Sequence, residues 1–278
     1  MNKKEHHDKI MLTLREHYNK AVEMGYEVLG VFLYGSQNYE LDTPMSDIDS
    51  KIIILPSIDD IVLRRKAVST SVEVAGGLTD IKDIRVMFEM YKKANINFLE
   101  TLFTNYYILN PEYATNFVPM WNRREDIAKF NLSSMRKAVF GMAKEKENAL
   151  FKEYPSQLEQ IKRFGYSGKQ LHHILRLKEF SKDFFLKGKS FSESLVPSHK
   201  EELIDIKTYN PQLTTSTARA MAEMAISSLQ ILLRDEDKSV NIETGDFMDS
   251  VLSRLIRQKF RNEILAENEN DTKCYKNR

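Results

Sequence analysis

The sequence predicts an α+β fold, with strands confined to roughly the first 110 residues and helices filling most of the rest. Two apolar runs carry the strand half. Val31-Phe32-Leu33-Tyr34 and Ile52-Ile53-Ile54-Leu55 are short, β-branched or aromatic, and bounded by Gly, Ser and Pro, as buried strands are. The helical half rests on a third observation. From about Val86 onward the chain turns largely to helical spacing, and strand signals after Tyr106-Tyr107-Ile108-Leu109 are weak.

In chain order, Lys4 to Met24 reads as an amphipathic helix on Ile10, Leu12, Leu14, Tyr18, Ala21 and Val22, with Gly25 where a helix stops. Strands at 27–34 and 50–55 follow, separated by a loop. Pro56 ends the second strand, and Ser57 caps a short helix toward Arg65. Alternation over 70–75 enters the hairpin turn Gly76-Gly77, and a strand through Asp80-Ile81-Lys82-Asp83-Ile84-Arg85-Val86 comes next. Helices are predicted near 86–94, 96–103, 113–120, 131–150, 156–163, 167–187, 198–206, 213–235 and 246–265. Pro111 marks a boundary between an α+β domain at 1–110 and a helical domain at 111–266, and 267–278 reads as a polar, frayed tail.

At 278 residues the chain has ample length for a core. Its 42% hydrophobic and 29% charged composition is that of a soluble protein, and a net charge of +1 provides no global basic field for nucleic acid. The single Cys274 excludes a disulfide framework within the chain and fits a reducing, cytoplasmic setting. No run of about eighteen apolar residues is present to span a membrane, and the N-terminus lacks the apolar core of a signal peptide.

The chemistry concentrates around the first two strands. The first ends in Gly35-Ser36, and Ser46-Asp47-Ile48-Asp49 leads into the second. Along a strand, residues i and i+2 share a face, so Asp47 and Asp49 aim at one point while Ile48 faces away. Two convergent hard oxygen donors suit Mg²⁺, which is held by one or two carboxylates plus substrate phosphates. A Gly-Ser turn suits the phosphates, because glycine permits close backbone approach and amide N–H groups attract anions.

At these residues the chain resembles the nucleotidyltransferase superfamily with a DNA polymerase β-like palm. That signature is an apolar residue, Gly, then Gly or Ser, a spacer, and two acidic residues separated by an apolar one; Tyr34-Gly35-Ser36 and Asp47-Ile48-Asp49 match it. The longer string from Gly35-Ser36-Gln37-Asn38-Tyr39 to Thr43-Pro44-Met45-Ser46-Asp47-Ile48-Asp49 is similar to predicted nucleotidyltransferases of bacteria and their phages, departing at Glu40, where that family often has Gly. The resemblance implies a small mixed β-sheet palm flanked by helices, Mg²⁺ or Mn²⁺ on Asp47 and Asp49, and NTP as substrate, with Gly35, Ser36 and Ser46 on the nucleotide side. It also implies a third carboxylate on a later strand, for which Asp83 is preferred and Asp80 is the competitor.

A second segment, Gly165-Tyr166-Ser167-Gly168-Lys169, opens a helix that Ser167 is placed to cap. On it Lys169, His173 and Arg176 stand at i, i+4 and i+7, sharing one face suited to phosphate oxygens. The same families carry a similar Lys-x-x-x-His-x-x-Arg-Leu pattern in their helical domain. The expected activity is metal-dependent transfer of a nucleoside monophosphate from NTP to a hydroxyl acceptor, which is an RNA, a protein or a small molecule. Two alternatives accompany it: nucleotide addition to an RNA end, with Tyr106, Tyr107, Trp121, Arg123 and Arg124 as gripping groups, and a regulatory NTP-binding protein without catalysis.

Overall fold

The computed structural model describes residues 3–74, 76–208, 213–234 and 239–276. Ala75 at the end of the predicted strand 70–75, Asp235 at the end of the predicted helix 213–235, and Asn277 and Arg278 of the predicted tail lie outside the described residues.

The first elements are α1 (Lys3–Glu23), β1 (Glu27–Tyr34), a 3₁₀ turn (Ser36–Tyr39), β2 (Asp49–Leu55), α2 (Ile58–Val62), β3 (Ser69–Val74), β4 (Gly77–Asp83), α3 (Ile84–Lys92), α4 (Ile96–Leu99) with a 3₁₀ turn at Glu100–Leu102, and β5 (Tyr107–Leu109). Among the described residues the strands form one five-stranded mixed sheet in the order β3-β4-β2-β1-β5. β2 and β4 run parallel, and the other pairs are antiparallel.

Alternation, shifted once by a bulge between Val28 and Gly30 of β1, sorts the sheet residues onto two faces. Val31, Leu33, Ile52, Ile54 and Ile81 pack with Ile10, Leu14 and Ala21 of α1. Leu29, Phe32, Ile53 and Leu55 face the other way, into a larger core continuous with the helical part. That part comprises α5 (Pro111–Asn122), α6 (Arg124–Ala128), α7 (Leu132–Ala149), α8 (Leu158–Phe164), α9 (Gly168–Ser181) running into a π-helical turn (Lys182–Leu186), α10 (Phe191–Leu195), α11 (Lys200–Thr208), α12 (Thr215–Leu232) and α13 (Ile242–Lys276). α9 packs against α7, α11 and α12, while α13 lies on α3 and α5. No helix among the described residues is long and apolar enough to cross a membrane.

The chain differs from its sequence reading in a few places. The strand predicted at 80–86 begins earlier and stops at Asp83, whose carboxylate accepts the Arg85 N–H and caps α3. The cap prevails because Ile84, Met87, Phe88 and Tyr91 follow at helical spacing and are all buried. Ser167 occupies the N-cap position of α9, yet its side chain makes no capping bond. α13 runs on to Lys276, through the segment expected to be frayed, because an apolar stripe marks where a helix is buried and not where it ends. The five-residue helices α6 and α10 are too short to show a period.

Candidate active site

β1 delivers the chain to Gly35, which adopts φ 97° and ψ −149°, a conformation that disfavours any residue with a Cβ. The turn after it is closed by the Asn38 N–H to the Gly35 carbonyl (3.0 Å) and the Asn38 side-chain amide to Leu33 O (3.0 Å). Gln37, buried beneath, donates to the main-chain oxygen of Asp47 at 2.7 Å. The phosphate-type turn and the first acid are thereby one unit. Glu40, the departure from the family string, sits in the left-handed region at φ 55°, which accounts for glycine being suited to that position. Its carboxylate is paired with Lys200 on α11.

Asp47 is exposed, and no bond to its carboxylate is found among the described residues. Asp49 is half-buried, with one oxygen accepting the Leu78 N–H at 2.9 Å. Both line a cavity of about 400 Å³ whose wall is the β3–β4 hairpin: Glu73, Val74, Gly76, Gly77 and Leu78. The hairpin approaches closely, since a Cβ on Gly77 would lie 2.0 Å from the Ile48 carbonyl oxygen. His17 of α1 anchors the rim from behind. Its Nε2 faces the Val74 carbonyl (3.0 Å), an acceptor only, so Nε2 carries the proton and Nδ1 accepts from the Ser50 hydroxyl (2.8 Å). Ser50 in turn accepts from Thr79 (2.6 Å), tying α1, β2 and β4 together one residue from Asp49.

The donor set fits Mg²⁺ or Mn²⁺. Asp47 keeps both carboxylate oxygens available and Asp49 keeps one, and Mg²⁺ completes its octahedron with water and substrate phosphates. Among the described residues no three His, Cys, Asp or Glu side chains converge as a ready-made cage.

Asp83 is not brought to this pair. The parallel register sets Lys51 beside Asp80 and Ile54 beside Asp83. Asp83 is therefore about 17 Å along β2 from Asp49, at about 3.3 Å per residue, and on the α1 face with Ile81. There it is buried against Arg85 at 2.6 Å. Asp80 lies on the Asp49 face, but its oxygens are engaged by Lys51 (3.0 Å) and Ser71. Burial pushes the Asp80 carboxyl up, and Lys51 with the Ser71 bond outweighs this and holds it below the usual range. Lys51 itself is 3% exposed, 3.7 Å above the Tyr34 ring and 4.9 Å from that of Phe98.

The predicted cationic stripe on α9 is divided. Lys169 is exposed and within electrostatic reach of Lys207, whereas His173 is half-buried and its pKa is pushed well down by burial and then by His172 and Arg176. Arg176 is 4% exposed and stacks on the Tyr39 ring at 4.0 Å, so it sits beneath the turn and not in the open cavity. Lys207 on α11 reaches the site loop instead, donating to Leu41 O (3.0 Å) and Ser46 Oγ (3.2 Å). Burial and Lys169 pull its pKa down. Ser46 also accepts the Thr43 N–H at 2.9 Å, which makes it a brace of the loop.

Glu100 was not among the sequence candidates. It is 1% exposed, accepts from Tyr39 Oη, and receives a long 3.5 Å contact from the Gly35 N–H. Burial pushes its carboxyl up to about 7, against the opposing pull of Tyr39, Lys51 and Arg176. Its one sequence signal is a lone acid inside Ile96-Asn97-Phe98-Leu99-Glu100-Thr101-Leu102-Phe103. The aromatic and basic groups considered for RNA are engaged elsewhere. Trp121 packs on Phe32, Phe117 and Tyr107, Arg123 pairs with Asp126 and Glu243, and Arg124 lies over Phe103.

Among solved structures the chain is similar to a nucleotidyltransferase-like protein from Exiguobacterium sibiricum 255-15, at 14% identity and a TM-score of 0.30, covering 79% of this chain and 74% of that one. It is also similar to a spectinomycin adenyltransferase from Enterococcus faecialis crystallised with ATP and spectinomycin, at 13% identity and a TM-score of 0.36, covering 82% and 100%. No protein-family model and no curated relative matches the sequence.

Proposed function

We propose that this chain is a metal-dependent nucleotidyltransferase that moves a nucleoside monophosphate from an NTP to a hydroxyl acceptor and releases pyrophosphate. One observation carries the reading. Asp47 and Asp49 line one cavity, and the main-chain oxygen of Asp47 is bonded by Gln37 to the turn that follows Gly35-Ser36, an arrangement that supports metal donors beside a phosphate-type loop. In the reaction the acceptor oxygen bonds to the α-phosphorus, the bond from that phosphorus to the β-bridging oxygen breaks, and the hydroxyl proton leaves to solvent. Bound Mg²⁺ or Mn²⁺ supplies charge neutralisation on the triphosphate and lowers the pKa of the attacking hydroxyl.

The chain's own residues do the positioning, which carries most of such a reaction. Asp47 and Asp49 are the residues that would hold the metal, and the Gly35-Ser36 turn is the part of the chain that would take the phosphates. Lys169 and Lys207 add positive charge beside the loop that carries Asp47, where Lys207 bonds Leu41 O and Ser46 Oγ. The single cysteine fits a cytoplasmic setting for this reaction. Incubation with each labelled NTP, Mg²⁺ or Mn²⁺ and a cell lysate tests the reading, with label appearing in RNA, protein or small-molecule fractions. Asp47→Asn and Asp49→Asn are expected to lose transfer by several orders of magnitude while remaining folded; unaltered turnover in both sinks the assignment.

A further inference from the structure

Behind the Gly35-Ser36 turn lies a buried polar cluster that the proposed chemistry does not use. Tyr39 Oη donates to Glu100, whose same oxygen meets the Gly35 N–H, and the Arg176 guanidinium lies over a face of the Tyr39 ring. The cluster joins three distant parts of the chain: the turn after β1, the turn after α4, and the middle of α9. As a stabilising device it is poorly finished. Among the described residues Glu100 Oε1 and Arg176 Nε and Nη1 are buried without hydrogen-bond partners, which costs free energy and marks a group kept for another reason.

We propose that Arg176, acting through Tyr39 and Glu100, is a positioning residue for the phosphate turn, so that nucleotide affinity depends on how α9 is seated. The inference rests on the nucleotidyltransferase reading. Arg176 touches no substrate in this arrangement. Its planar face fixes the Tyr39 ring, the Tyr39 hydroxyl fixes the Glu100 carboxylate, and that carboxylate sets the inward direction of the Gly35 N–H. Lysine offers no flat face to an aromatic ring, so the position requires arginine. The charged and titratable groups facing Glu100 are Lys51 from β2, Arg176 from α9, Tyr39 from the turn and Tyr34 at the end of β1. Ionised Glu100 grips both donors more strongly than the neutral acid does.

Binding of the α,β-methylene analogues of ATP, GTP, CTP and UTP with Mg²⁺, measured by calorimetry, tests this without knowledge of the acceptor. Tyr39→Phe and Arg176→Lys are each expected to weaken nucleotide binding about tenfold, and the double variant no further than the weaker single, because the two act in series. Tyr39→Phe removes one oxygen and keeps the ring, so it reads out even where Arg176→Lys fails to fold. For Glu100→Gln, the ratio of its Kd to that of the parent is expected to rise from near one at pH 6 to about tenfold at pH 8 as the parent carboxyl ionises. Lowered melting temperatures with unchanged Kd, or a ratio flat across that range, overturn the positioning role alone. A parent protein that binds none of the four analogues overturns both this inference and the reading beneath it.

Discussion

Gln37 donates its side-chain amide to the main-chain oxygen of Asp47 at 2.7 Å, ten positions further along the chain. Gln37→Leu keeps similar bulk and leaves that oxygen without its donor. A cost of about 1–2 kcal/mol in stability follows from the lost buried bond. The larger expected effect is on metal binding, because the carboxylate of Asp47 is then free to swing. Titration of transfer activity with Mg²⁺ is expected to show about a tenfold higher half-saturation, at about 1.4 kcal/mol per decade. An unchanged Mg²⁺ curve would show that the turn and the acid are held independently.

Lys51 and Asp80 lie side by side on parallel strands and separate stability from catalysis. Asp80→Asn leaves the Lys51 ammonium buried between Tyr34 and Phe98 without its ion-pair partner and with only the more distant, partly protonated Glu100 as counter-charge, at an expected cost of about 3 kcal/mol. Asp49→Asn removes a half-buried carboxylate whose second oxygen has no hydrogen-bond partner among the described residues, so its expected cost in stability is small and its loss of activity large. Urea unfolding and transfer assays on both variants check this. A stable, inactive Asp80→Asn protein would instead make Asp80 a metal ligand.

Gly77 is set by space and not by backbone angle, since its ideal Cβ would fall 2.0 Å from the carbonyl oxygen of Ile48. Ile48 stands between Asp47 and Asp49, the two proposed metal-side acids, so relief of that clash moves both. Gly77→Ala is therefore expected to reduce transfer by about a hundredfold or more, as a misplacement of about 1 Å can. Gly76→Ala is the comparison, because its Cβ would meet nothing within 4 Å and only its φ of +76° resists. Equal activity in the parent and Gly77→Ala would show that the hairpin yields without disturbing the acids.

The parts of this site that depend on short-range periodicity were legible in the sequence. Alternation by two predicted Asp47 and Asp49 on one side, and both line one cavity although Asp47 precedes β2; the β-branched run after them declared that strand. The third carboxylate was not legible, because Asp80 and Asp83 differ only through the register of β4 on β2 and through a helix cap that ends the strand at Asp83. Arg176 shared a helical face with Lys169, yet where that face points depends on α9 packing against α7, α11 and α12. Glu100 and Tyr39 meet across 61 positions of sequence, so no local pattern joins them. Long-range packing, not composition, decides each of these.

Two buried histidines, His17 and His172, and the half-buried His173 set the behaviour in acid. Burial pushes His172 down to about 3, with Arg176 and Lys207 adding to the effect, and it lowers His17 and His173 as well. An unfolded histidine titrates near 6.5, so between that value and its folded pKa the unfolded chain holds more protons. Stability contributed by these rings is fully present above pH 6.5 and is lost as the pH falls, at no more than about 1.4 kcal/mol per pH unit for a ring that stays neutral in the fold. Glu100 acts in the opposite sense. Its carboxyl, raised to about 7, keeps its proton in the folded state from 4.5 upward, so that contribution weakens as pH rises. The parent curve is a sum of both, and a variant isolates one. His172 Nδ1 faces the Leu203 carbonyl at 3.2 Å and donates to it, a bond that an asparagine amide can replace. Urea unfolding of His172→Asn between pH 7.5 and 5 is expected to show a shallower acid loss than the parent, by up to about 1.4 kcal/mol per pH unit. Parallel curves would mean that the ring takes up its proton as readily in the fold as in the open chain.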